Sequence, residues 1–477
     1  MLKHIIKNEW RNLVADHTFW TITLLFAVCL GYAMHNGFAW TGFQNRTIAE
    51  TKLDEEKRYA DLERQIAELD RSAPKELSRF SDPRDAAAAG RNVGQRFVQM
   101  PPHEFGAFSI GQSDLLPYYF KISTRSETTF INNDELENPT NLLAGRFDAA
   151  FVIIYLLPLL ILGIGYNFIS GEREAGTLQM LLAQPVRPLD FIIGKIALRF
   201  AVVVVSATIL ALVFFVLGGG NLAGDGAARF GLWTLAVLIY SFFWFALVVL
   251  INSFRWKSAT NALALAGLWL FFVIVVPSLT GVFVMTAHPV PSRIEMINAA
   301  REASTEASAE GSRLMARYQE DHPELMQGNY DATDAAMRTY ATQDAVDRRV
   351  KPILENYDRQ LLSQQNMVRR LQILSPAIAM QEILNDISGT GNGRYQHFSR
   401  QVKEFHKGWQ DYFVPRSFQK MRFDTEMYRN SPQFRWQEED TNTVVQKVSS
   451  GLLGVLAFGA IFAAIGLTAA GRTALFD

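Results

Sequence analysis

Residue types that carry covalent or metal chemistry are few in this chain of 477 residues, and they are dispersed. Cys29 is the only cysteine and lies inside an apolar run. No internal disulfide can staple the polar regions, and no cysteine-based metal cluster can form. None of the eight histidines stands three or four residues from another. His103 beside Glu104 reads either as part of a metal site or as a solvated surface pair. The sequence has no Gly-x-x-x-x-Gly-Lys-Ser/Thr phosphate loop, no dinucleotide glycine pattern, no His-Glu-x-x-His and no Gly-x-Ser-x-Gly. The chain is therefore not expected to be an enzyme or to hydrolyse ATP itself, and no cofactor or metal is expected in it. A net charge of −1 gives no case for a nucleic-acid partner.

The remaining chemistry is recognition, and one stretch stands out for it. After Ser170 come Glu172, Arg173 and Glu174, then Gly176, Thr177 and Leu178, with Leu181 and Leu182 following before Pro185. The pattern predicts a charged triplet leading into a short helix whose leucines share one side and which stops at the proline. Such a helix fits a partner's groove; an ordinary interfacial helix has the same pattern.

Uncharged apolar runs must position that stretch. They fall near residues 18–38, 149–169, 200–218, 230–251, 259–285 and 450–470. About 20 apolar residues let a helix cross roughly 30 Å of hydrocarbon. The predicted fold is an all-α polytopic membrane protein with six transmembrane helices and a large, mainly helical extracytoplasmic domain made from two insertions. Its parts are an interface helix (1–17), a first span (18–38), a first periplasmic block (39–147), a second span (148–170), a cytoplasmic element (171–197) and a third span (198–219). A fourth span (230–252), a fifth (259–285), a second periplasmic block (286–448), a sixth span (449–470) and a cytoplasmic tail (471–477) complete it. The first span reads as an uncleaved anchor, since no small-x-small site follows it. Lys3, Lys7, Arg11, Arg173, Arg187, Lys195, Arg199, Arg255, Lys257 and Arg472 all fall on one side if every run crosses once, so both termini are expected in the cytoplasm.

Pro158 and Pro277 sit inside the second and fifth runs. A proline there frees a carbonyl and kinks the rod, either for packing or as a point of flexure. The glycines of the sixth run predict close helix approach. No Lys, Arg, Asp or Glu lies well inside a run, with Asp148 at an edge. That argues against an ion-coupled transporter and for an energy source outside the chain.

The first block opens with a helical stretch from Ile48 to Leu69, and an aromatic, turn-rich segment from Phe105 to Phe120 is expected to form extended chain and short strands close to the membrane face, its aromatics either at headgroup level or packed onto the protein's own bundle. In the second block, Ser292 with Glu295 reads as a capping box, and Pro352 is expected to interrupt a long helix. Ser375-Pro376 is expected to start a fresh one. Apolar residues at helical spacing throughout favour helical hairpins that fold on each other.

Gly171-Glu-Arg-Glu-Ala-Gly-Thr-Leu178 resembles the first coupling element of ABC-2 type permeases, the membrane subunits of ATP-binding-cassette transporters. The resemblance implies that Glu172, Arg173, Glu174, Gly176 and Thr177 contact an ATP-binding subunit, with Leu178 and Leu181 seating the element. It also implies that the partner binds the ATP and Mg. Residues 5–11 resemble the amphipathic interface helix of that family, with Ile5, Ile6, Leu13 and Val14 facing lipid. Segments starting at Gly111, Asn138, Ser258, His288 and Leu374 are similar to the bacterial ABC-2 subfamily with a DUF3526 region, related to permeases of gliding-motility and nitrous-oxide-reductase maturation systems. The implied protein is an inner-membrane permease, a homodimer or a heterodimer with a related permease, exporting a small or lipid-like substrate. The long blocks depart from the short outer loops typical of ABC-2 permeases. They leave open an ATP-driven mechanical or scaffolding role on a periplasmic client or lipoprotein.

Overall fold

The computed structural model describes residues 2–71, 77–126, 147–178, 188–289, 293–310, 312–323 and 334–472. Six helices among them are long and apolar enough to cross a membrane: His17–Arg71, Ala149–Glu174, Leu189–Leu217, Gly226–Asn252, Ser258–Ala287 and Thr441–Gly471. The protein is a multi-pass membrane protein. The second and fourth spans are largely buried and form the centre of the bundle, whereas the fifth hides only 11% of its apolar window. The fourth carries Trp233, Tyr240, Phe243 and Trp244 into the core, and the sixth packs along it. Small residues permit that approach. A Cβ on Gly466 would stand 2.9 Å from the Leu250 backbone, a distance real side chains do not reach.

Side-chain pairing separates the two ends of the bundle. One end gathers the N-terminal helix Leu2–Ala15, residues 170–178 and the link between the fourth and fifth spans. The other gathers both long insertions. The helix starting at His17 does not end with its apolar run; it continues to Arg71, a rod of roughly 80 Å. Nothing after Gly42 breaks it, so the span and the helical stretch from Ile48 to Leu69 are one element.

The insertions share a core. Leu62 and Ile66 of the first helix, with Ala86, Val98, Phe120 and Ile122, pack against Phe398, Val402, Trp409, Phe413 and Tyr428. The strands Arg96–Gln99 and Tyr119–Ile122 pair antiparallel, with Val98 opposite Phe120. Phe105 and Phe108 are not in extended chain; they pack onto the bundle, the second of the two placements the sequence allows. Phe105 lies within a short 3-10 turn, Glu104–Ala107, and Phe108 directly follows it; both are buried against Phe215 and Trp233 near the ends of the third and fourth spans.

In the second insertion, Arg293–Glu310 runs antiparallel to Ala335–Leu371, with Arg349 bonded to Glu306 at 2.8 Å and Gln364 to the His288 carbonyl at 2.6 Å. Pro352 does not interrupt that second helix, which passes through it. Ser292 lies outside the described residues. Ser375 caps Pro376–Ser388 with the proline in its first turn, as the sequence predicts. This helix is almost wholly buried over the fourth and sixth spans.

Candidate functional site

At the N-terminal end of the bundle, the second span continues into a short helix, Ser170–Glu174. Gly176 ends it with φ at +71°, a left-handed backbone that favours glycine. The chain therefore doubles back, and Thr177 donates to the Glu172 carbonyl at 3.1 Å and bonds its carboxylate. Glu172 also receives Lys195 Nζ at 2.6 Å. Lys195 stands 3.5 Å from Glu9, which in turn takes Arg199 Nε at 2.7 Å, and Arg199 reaches back to the Ile164 carbonyl. Glu9 and Lys195 are buried. Buried charges survive only when paired, and this chain of four ties the N-terminal helix, the third span and the element together.

Glu174 faces the other way. Its carboxylate accepts the Ser258 backbone N–H at 2.7 Å and the Ser258 hydroxyl at 2.9 Å, capping the fifth span. Ser258 also meets Ser170 at 2.8 Å, and Asn261 bridges Ser170 and Asn252. The two glutamates thus fasten the element to the third and fifth spans. Arg173 lies beside Arg255, and its Nη2 has no hydrogen-bond partner among the described residues. Ala175, Gly176 and Thr177 form an exposed tip, and Leu178 is buried. Leu181 and Leu182 lie outside the described residues. In the N-terminal helix, Val14 is exposed, but Leu13 turns into the protein core instead of toward lipid, because Glu9 on the same helix must reach Arg199.

Pro158 and Pro277 occupy matching positions. Each is the second residue after a five-residue π turn, Val152–Leu156 and Phe271–Val275. A proline has no N–H for the helix ladder and crowds the preceding turn; widening that turn by one residue relieves the clash. Side chains from elsewhere take the carbonyls left over. Tyr240 donates to Ile154 at 2.9 Å, Trp269 to Tyr155 at 3.2 Å and Ser375 to Phe272 at 2.7 Å. The sequence shows the prolines but not these donors, which lie far away in the chain.

At the opposite end, Arg229 of the fourth span is buried, bonds Asp225 at 2.7 Å and donates to the Ile387 carbonyl at 2.9 Å. Thr441 at the start of the sixth span joins Asp225 at 3.3 Å. His103 is no solvated surface residue: its Nδ1 accepts the Phe105 N–H and its Nε2 lies 3.6 Å from Asp225. Burial first, then Arg229 and Arg394, push its pKa down to about 4. Arg394 pairs with Glu438 at 2.5 Å and holds that carboxyl down at about 2 against its burial. Asp148 caps the second span and accepts Ile110 N–H at 2.8 Å. No group of three metal-ligating side chains occurs among the described residues.

Comparison with known families agrees with this architecture in two blocks. Residues 103–300, holding the second to fifth spans, match the ABC-2 family transporter protein model. Residues 293–437 match a domain of unknown function, DUF3526. The first and sixth spans lie outside both, and no curated protein matches the chain. This membrane protein thus joins, in one chain, an ABC-2 family permease domain and a DUF3526 domain.

Proposed function

We propose that the chain is the permease subunit of an ABC transporter in a bacterial inner membrane. A separate ATP-binding subunit docks at the end that holds both termini, which is the cytoplasmic end. The carrying observation is the element at residues 170–178: an exposed tip anchored by Glu172 to the third span and by Glu174 to the fifth. A push on the tip is delivered to two spans at once. Two permease chains, identical or related, with two ATP-binding subunits make the working assembly, and the partner binds and hydrolyses ATP. Export of a small or lipid-like substrate along the dimer interface is the favoured activity. Charged side chains stay near the ends of the apolar spans, as Lys195, Arg199 and Arg229 do, which suits an apolar cargo. The test is co-purification in mild detergent with the ATPase encoded beside it. Recovery of a stoichiometric complex is expected; a monomer that binds no such ATPase overturns the reading.

One observation favours a second reading, ATP-driven mechanical action on a periplasmic client. Ser375 ties the second insertion to the π turn of the fifth span, so bending there moves the insertion directly. Structures of the assembly with and without ATP separate the two. A path between the permease copies supports export, and a bundle sealed in both states supports force transmission.

A further inference from the structure

Ser375 bonds the carbonyl of Phe272, which lies fourteen residues into a helix that starts at Ser258. Roughly 20 helical residues cross the hydrocarbon, so the chain around Ser375 reaches into the leaflet on the side of the insertions. Ile373 and Leu374 are about half exposed there. Directly before them, the long helix Ala335–Leu371 ends in Arg369 and Arg370, both exposed. Neither forms an ion pair among the described residues, although Arg369 lies within electrostatic reach of Glu382 and Asp386. The arginines form one rim of a cavity of about 220 Å³ whose apolar floor is Gly451, Gly454, Val455 and Phe458 of the sixth span. A Cβ on Gly454 would find only Ile373, at 3.9 Å, so the floor is open because a side chain is missing there.

We propose that this cavity holds one anionic phospholipid, its phosphate on Arg369 and Arg370 and an acyl chain along Gly454 and Phe458. Two cations without an ion pair among the described residues, on the rim of an apolar slot, match that amphiphile in both charge and polarity. A free phosphate would leave the slot empty, and a zwitterionic lipid would bring a second cation against the arginines. The proposal does not depend on the ATPase reading.

The test uses the full-length chain in nanodiscs of phosphatidylcholine with a minor fraction of phosphatidylglycerol, with retained lipid read by native mass spectrometry. Each basic residue near an anionic lipid contributes enough that phosphatidylglycerol should be retained over phosphatidylcholine by roughly ten- to thirty-fold. Arg369→Gln with Arg370→Gln should bring the ratio near parity. Gly454→Leu fills the floor, keeps both charges and should lower retention of both lipids. Glycerol phosphate should displace nothing. A wild type without preference overturns the proposal, as does a double arginine variant that keeps it or displacement by glycerol phosphate. If the double variant does not fold, the wild-type ratio and Gly454→Leu still decide.

Discussion

At the scale of single residues, the glutamates of the 170–178 element are structural fasteners before they are contacts. Glu172→Ala removes the closest partner of Lys195, which is buried and keeps Glu9 at 3.5 Å and the Phe168 carbonyl at 3.4 Å. A lost charge-assisted hydrogen bond costs about 2 kcal/mol, so a lower melting temperature in detergent is expected. Adding Lys195→Met should recover much of that loss, and no recovery would show that the pair does not couple. Glu172→Ala with Glu174→Ala should also abolish permease stimulation of the partner ATPase; unchanged stimulation would mean the docking site lies elsewhere. His103 gives a pH signature. Its ordinary value of 6.5 falls to about 4 in the fold. Between those values the unfolded chain takes up a proton that the folded junction refuses, so stability is full above 6.5 and declines as pH falls to 4. The shift corresponds to at most about 3 kcal/mol. Melting curves across that window should slope for the wild type and flatten for His103→Gln; equal slopes count against it. Residue types and order marked out the stretch around Glu172 and Glu174 without telling it from an ordinary interfacial helix, and its coupling role rested on the resemblance to ABC-2 permeases. Glu9 was not, because its partner Arg199 lies 190 positions away and only the tertiary fold brings them together.

At the scale of elements, the two proline-bearing spans were legible as breaks but not as π turns. Hydropathy and proline position are local signals, whereas the donors that make the widened turns tolerable come from the fourth span, the fifth span and the second insertion. Pro352 shows the converse: a locally disfavoured residue sits inside a helix held by its packing against Arg293–Glu310. The matched π turns argue for flexure in the second and fifth spans. Tyr240→Phe removes the hydroxyl that satisfies Ile154 and leaves a buried carbonyl unpaired, with an expected loss of about 1–3 kcal/mol. Pro277→Ala restores an N–H and a straighter fifth span. It is expected to keep or raise the melting temperature while lowering partner-stimulated ATPase activity. Full activity in that variant would leave the turn as packing alone.

At the scale of the whole molecule, the two insertions behave as one body on the spans. Apolar spacing foretold that they fold on each other, but not that the first helix would run unbroken from the membrane into their common core. Gly389 and Gly391 turn the chain tightly beside His103 and Asp386, and Arg394 clamps Pro101 and Gly389 by their carbonyls. Cleavage at Pro101 or Gly389 is therefore not expected in limited proteolysis. The decisive residue is Trp409, fully buried in the second insertion and donating to the Gly90 carbonyl of the first at 2.9 Å. Trp409→Ala removes a large core side chain and that bond, which costs about 3–5 kcal/mol. In a shared core the damage crosses the insertions. Hydrogen exchange should quicken at residues 86–99 and in the strand Tyr119–Ile122 as much as in Asn392–Phe418, while the fourth span stays protected. Faster exchange confined to Asn392–Phe418 would mean two separate domains, and motion of the fifth span would then reach only the second.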